Sequence, residues 1–156
     1  MLPVKLGAFT SIPGATLSNG AYNKGIKAYL ADDFATALAC WQPLADAGHG
    51  PSAYRVGYMH ETGQGVPLDA TEAAAWYEKA ADAGDCDAMA ALGSLYLHGI
   101  GVPQDYSRAY VLLSLAVALG ATASIALRNR AASFLSSDQL ASLEQEARRR
   151  FAHRPT

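Results

Sequence analysis

The sequence predicts an all-α protein built as a stack of antiparallel helix hairpins. Three observations carry that expectation: a motif that returns after 36 residues, glycine and aspartate at the ends and starts of helical segments, and a composition rich in alanine and sparse in β-branched residues. Residues 61–74 read ETGQGVPLDATEAA and residues 97–110 read LHGIGVPQDYSRAY. Gly63, Gly65, Val66, Pro67 and Asp69 thus recur as Gly99, Gly101, Val102, Pro103 and Asp105. The register continues on both sides, pairing Gly57 with Gly93, Ala73 with Ala109, Ala80 with Ala116 and Gly84 with Gly120.

Taken in order, residues 1–17 read as an irregular extension and 18–152 as a single domain. The first hairpin covers 18–48, with helices over 18–31 and 34–47. Its Gly25, Ala37 and Gly48 match Gly57, Ala73 and Gly84, but Gly25 to Ala37 spans 12 positions where Gly57 to Ala73 spans 16. The missing residues are the G-x-G-V-P loop, so this copy is a plain hairpin. Pro43 is expected to bend its second helix or thin its hydrogen bonding. The second hairpin covers 51–84. Pro51 suits a first turn, where its absent N–H costs nothing, and Gly63 ends the helix. Asp69 with Glu72 forms a capping pattern worth about 1 kcal/mol, and Gly84 is the stop. The third hairpin, 86–120, repeats this with Asp105 and Gly120. Capping helices follow at 122–134 and 136–152, the second opened by a Ser136/Gln139 capping box. Leu140, Leu143, Ala147 and Phe151 share one face of it, as the end of a stack requires, and 153–156 is a tail.

Glycine inside a helix costs about 0.5–1 kcal/mol relative to alanine. Gly25, Gly57 and Gly93 therefore need a compensating contact, expected to be close approach of the small Ala37, Ala73 and Ala109 on the paired helix.

Composition narrows the function. The formal net charge is −2. Up to Gly120 there are six Lys/Arg against eleven Asp/Glu, and from Ala121 six Arg against three acids. The acidic part would repel a phosphate backbone, so nucleic acid is not expected as a partner. Arg148, Arg149, Arg150 and Arg154 close the last helix, where cations favour the dipole by about 0.3–1 kcal/mol, and read as a solvated helix end. No apolar run approaches the ~20 residues of a membrane span, and the first residues do not form a secretory signal. The sequence as it stands reads as cytoplasmic, or as periplasmic or secreted if a leader has been removed. Cys40 and Cys86 have no metal-ligand spacing and are expected as free thiols, with a disulfide as the alternative.

The glycine loops do not fit a phosphate site. GQGVPLD and GIGVPQD lack a third glycine and a Gly-Lys-Ser/Thr run, and Asp69 or Asp105 already occupies the helix mouth. His60-Glu61 has no second histidine at zinc-helix spacing, and His49, His98 and His153 sit at a turn, a helix end and the tail. No G-x-S-x-G or Ser-x-x-Lys occurs. No catalytic residue, metal or cofactor is expected.

The repeat resembles the Sel-1-like repeat family, relatives of the tetratricopeptide hairpins. Its hallmark unit appears here as Ala53, Val56-Gly57, Gly63, Gly65-Val66, Asp69, Ala73, Trp76-Tyr77, Ala80-Ala81 and Gly84. The next unit keeps Leu92-Gly93, Tyr96, Gly99, Gly101-Val102, Asp105, Ala109, Ala116 and Gly120, with Leu112-Leu113 in place of Trp-Tyr. The first, with Ala37-Leu38, Trp41 and Gly48, is similar to a shortened opening repeat. The resemblance implies a right-handed α-solenoid that serves as a protein-interaction scaffold, with the first helix of each hairpin lining the concave face. Positions three before, one after and four after each helix glycine then face inward: Tyr22, Ile26 and Tyr29; Tyr54, Tyr58 and Glu61; Ala90, Ser94 and Leu97. The implied function is a non-enzymatic, monomeric adaptor that holds a peptide or helix of another protein there. The alternative is an inhibitor or immunity-type protein that blocks one enzyme; a hydrolase is the third reading.

Overall fold

The computed structural model describes residues 13–154. Eight helices follow one another: α1 (Pro13–Leu30), α2 (Phe34–Asp46), α3 (Gly50–Thr62), α4 (Ala70–Asp82), α5 (Cys86–His98), α6 (Tyr106–Ala118), α7 (Ile125–Ala132) and α8 (Ser137–Ala152). Among the described residues there is no strand. α1 pairs with α2, α3 with α4 and α5 with α6; α2 then packs on α3 and α4 on α5, so the hairpins stack into an α-solenoid. Two boundaries differ from the sequence reading. α1 starts at Pro13, so 13–17 are helical rather than irregular, while 1–12 and 155–156 lie outside the described residues. The segment 122–134 is a 3-10 turn, Thr122–Ser124, followed by the short α7.

The punctuation residues act as helix caps. The Asp69 carboxylate accepts from the N–H groups of Thr71 and Glu72 at 3.0 Å, and that of Asp105 from Arg108 N–H at 2.9 Å. Asp69 N–H donates to the His60 carbonyl and Asp105 N–H to the Tyr96 carbonyl, both at 2.9 Å, so the two loops close alike. Ser136 and Gln139 form their reciprocal capping box on α8. In the short first connection Asp32 takes the left-handed conformation (φ 57°) and Asp33 caps α2. Cys40 and Cys86 are free thiols.

The helix glycines make room for large side chains rather than for alanines. A Cβ on Gly25 would lie 2.3 Å from the Trp41 indole nitrogen, one on Gly57 2.8 Å from the Tyr77 ring, and one on Gly93 2.7 Å from Leu113 Cγ. Trp41, Tyr77 and Leu113 are the same repeat position, each four residues after the alanine, and each is fully buried. Alanine is what the sequence aligns, and at Gly57 the Ala73 carbonyl does come within 3.2 Å. The Cβ-free notch is nevertheless filled by the knob one turn on.

The same register explains the end of the stack. Val56 and Met59 of α3, and Leu92 and Leu95 of α5, are buried where each hairpin meets the one before it. The equivalent positions of α1 are Lys24 and Lys27, both exposed, so α1 presents a polar end face.

One substitution therefore has opposite effects at two helical glycines. Gly57→Ala overpacks the Tyr77 notch, an effect of about 1–3 kcal/mol that outweighs its helix-propensity gain. Gly20→Ala, with nothing within 4 Å of the new Cβ, stabilises by about 0.5–1 kcal/mol. Urea unfolding of the two variants checks both signs, and a more stable Gly57→Ala protein would refute the notch.

Candidate functional site

α1, α3 and α5 are the first helices of the three hairpins, and the residues expected to line one face of the stack lie on them. Their partly exposed residues recur at helical spacing along it. Tyr22, Ile26 and Tyr29 of α1, Tyr54, Tyr58 and Glu61 of α3, and Ala90 and Ser94 of α5 are all half-buried. Leu97 departs from the expected set. It is 2% exposed, and beside it Gln104 folds back to donate its amide to the Leu97 carbonyl at 2.8 Å. An apolar side chain follows burial there, and it offers nothing to a partner.

The tyrosines form a continuous cluster between α1 and α3. The Tyr54 and Tyr58 ring centroids lie 6.4 Å apart, and Tyr54 stacks on the buried Tyr77 at 5.5 Å. Tyr22 meets His49 edge-on at 5.4 Å, and Tyr29 meets Trp41 at 5.7 Å and Phe34 at 5.4 Å. Tyr29 donates its hydroxyl to the Gln64 side chain, which ties α1 to the loop after α3. Burial, and then the neighbouring Tyr58, raises the Tyr29 hydroxyl pKa; burial, and then Asp87, raises that of Tyr54. Tyr54 is thus packed from beneath and open from above.

At the centre of this cluster sits Arg55, a residue absent from the predicted set. Its guanidinium lies 5.8 Å from the Tyr54 ring centroid and 5.9 Å from that of Trp41, within cation–π range, and its Nε donates to the Tyr22 hydroxyl at 3.4 Å. Partial burial works against its charge. Tyr22, Tyr54 and Asp87 hold the charge in place, and the net direction of its pKa is upward. The signal in the sequence was a lone cation: Arg55 is the only Lys or Arg between Lys27 and Lys79, set beside Tyr54. Glu61 is fixed from below, since the wholly buried Tyr77 donates its hydroxyl to that carboxylate. Burial first, and then the Glu61 bond, pushes the Tyr77 pKa strongly up, so the hydroxyl stays protonated and keeps donating.

Among the described residues no group of His, Cys, Asp and Glu could hold a metal ion. No described helix is long and apolar enough to cross a membrane. What the face offers is aromatic area, hydroxyls, one guanidinium and one carboxylate. That chemistry suits recognition of another polypeptide.

Comparison with known proteins bears on the same point. The Sel1 repeat matches residues 50–85 and again 86–120, which are the second and third hairpins. Residues 50–120 of the chain are thus two consecutive Sel1 repeats. The crystal structure of c5321, a protective antigen present in uropathogenic Escherichia coli strains and displaying an SLR fold, is similar with a TM-score of 0.77 and 25% identity. That match covers 85% of this chain and 29% of c5321, so the chain spans less than a third of that protein's length. A Sel1 repeat protein from Oxalobacter formigenes is similar with a TM-score of 0.66 and 27% identity, over 72% of this chain and 87% of that one. No curated protein matches the sequence. Sel1 repeats generally mediate protein–protein interaction and are typically non-catalytic. The opening hairpin, with its short connection, lies outside the matched residues.

The acid at the head of α5 tests the electrostatics of this region. Asp85 caps Ala88 N–H at 2.8 Å, yet burial raises its pKa. A raised carboxyl pKa means that the folded state holds the proton more tightly, so its contribution to stability is lost as pH rises through the folded pKa. Asp85→Asn keeps a capping oxygen and removes the charge. The variant should match the parent at low pH and exceed it in stability at neutral pH, as read from urea midpoints. A gap of unchanged size at both pH values would contradict the assignment.

Proposed function

We propose that this protein is a non-enzymatic adaptor that holds a peptide or helix of a partner protein on the concave face lined by α1, α3 and α5. The observation that carries this reading is the Tyr22–Tyr54–Tyr58 cluster gathered around Arg55 on helices that the repeat alone would leave variable. Tyrosine supplies large contact area at low entropic cost, and tyrosine and arginine are both enriched among the residues that dominate binding energy at protein interfaces. Tyr22, Ile26 and Tyr29 form one end of the binding strip, Tyr54, Tyr58 and Glu61 its middle, and Ala90 and Ser94 a shallower far end. No carboxylate among the described residues pairs with Arg55, so the guest lays an aromatic or apolar side chain on the tyrosines and one acceptor on Arg55. Binding is by a single copy of the chain, with no nucleic acid or cofactor involved.

Peptide-display selection against the full chain supplies guests, and amide chemical-shift mapping locates them. The selected peptides should perturb α1, α3 and α5. Tyr58→Ala should weaken them by about 30-fold or more, the effect of losing a hot-spot tyrosine worth about 2 kcal/mol, with the helical circular dichroism intact. Perturbations confined to α2, α4 and α6, or a Tyr58→Ala protein that binds as well as the parent, would overturn the concave-face assignment.

A further inference from the structure

The C-terminal helices do not repeat the hairpin packing. α7 and α8 both lean on α6 rather than on each other, and they leave a groove of about 470 Å³ between them. Its floor and one wall are apolar, formed by Leu115 of α6 with Ala147 and Phe151 of α8. Its rim is cationic, with Arg128 from α7 on one side and Arg148 from α8 on the other. Neither guanidinium has a carboxylate partner among the described residues: Arg128 reaches only the side-chain oxygen of its neighbour Asn129, at 3.1 Å. Ser114 Oγ is also buried there, where it interacts with the Tyr110 hydroxyl. One acid lines the site, Glu144, and it accepts from the Tyr110 hydroxyl at 3.4 Å.

From this arrangement we infer that the groove between α6, α7 and α8 binds a small amphipathic carboxylate, an apolar chain with one anionic head. The volume lies in the range of ligand pockets, and the combination of apolar wall with a few convergent polar groups is what such pockets share. Two free guanidiniums against one carboxylate leave a net positive rim, and the planar fork of arginine matches a carboxylate. The head would sit between Arg128 and Arg148, on the side away from Glu144, and the chain would cover Leu115, Ala147 and Phe151. This site also gives a place to the positive charge that the sequence concentrates after Gly120.

The test is calorimetric titration of the full chain with octanoate, with 1-octanol as the control that keeps the chain and acetate as the control that keeps the carboxylate head. Octanoate should bind saturably at one site, and both controls should bind at least about tenfold more weakly. The double variant Arg128→Gln/Arg148→Gln lies at the surface and should keep its circular dichroism while losing at least about tenfold in octanoate affinity. A Tyr22→Ala/Tyr58→Ala protein should bind octanoate like the parent, which separates this site from the peptide-binding face. Absence of saturable binding, octanol binding as tight as octanoate, or an arginine double variant with parental affinity would each overturn the proposal.

Discussion

The stack depends on one contact made three times: a large side chain from the second helix of each hairpin entering a notch that only glycine leaves in the first. Trp41 fills it at Gly25, Tyr77 at Gly57 and Leu113 at Gly93. Each glycine costs about 0.5–1 kcal/mol of helix propensity, and burying a side chain of this size returns about 1.5–3 kcal/mol, so the exchange favours the hairpin. Because each knob enters one notch on the facing helix, the contact also fixes how far one helix slides past the other. The alanine four residues earlier keeps the axes close enough for the knob to reach.

The loops transmit that geometry from one hairpin to the next. Gly65 and Gly101 have φ of 73° and 70°, and each lies against the preceding hairpin: a Cβ would sit 2.7 Å from Phe34 Cβ in one case and 2.2 Å from the Ala70 carbonyl in the other. The G-x-G-V-P loop therefore both turns the chain and docks it on the start of the previous hairpin's second helix. The first hairpin has nothing before it to dock on, and its four-residue-shorter connection lacks this loop. With backbone geometry determined by repeated glycines and caps, the outward positions of α1, α3 and α5 are free to differ between units. Tyr58 faces Ser94 in the alignment, and Arg55 faces Ala91.

Periodicity, caps and stops made the helices and their pairing legible in the sequence, because each is a local rule. The partner of the helix glycine was not: an alignment shows which residues recur, and Ala73 recurs more visibly than a position held in turn by Trp41, Tyr77 and Leu113. The start of α1 was hidden for a different reason, since Pro13 fits a first turn but the following residues show no apolar period. Spacing from the glycine picked out residues that are mostly half-buried, but it could not foresee that Leu97 would be buried in full. Arg55 escaped because charge was counted over the whole chain, whereas its role comes from the aromatic rings that the fold brings around it.

Arg55 is also where stability and recognition separate. Partial burial opposes its charge, and among the described residues no carboxylate lies within ion-pair distance of it. Its contacts are two aromatic faces and one long hydrogen bond to a hydroxyl, interactions of about 0.5–1 kcal/mol each at a partly exposed site. The next repeat manages with alanine at this position, in the same hairpin geometry and with a core as well buried. The solenoid does not require a guanidinium there. A residue that the architecture can omit, held charged among half-open tyrosines, is best accounted for by what it presents outward, and this supports the α1–α3 strip over the shallower α5 end as the centre of recognition.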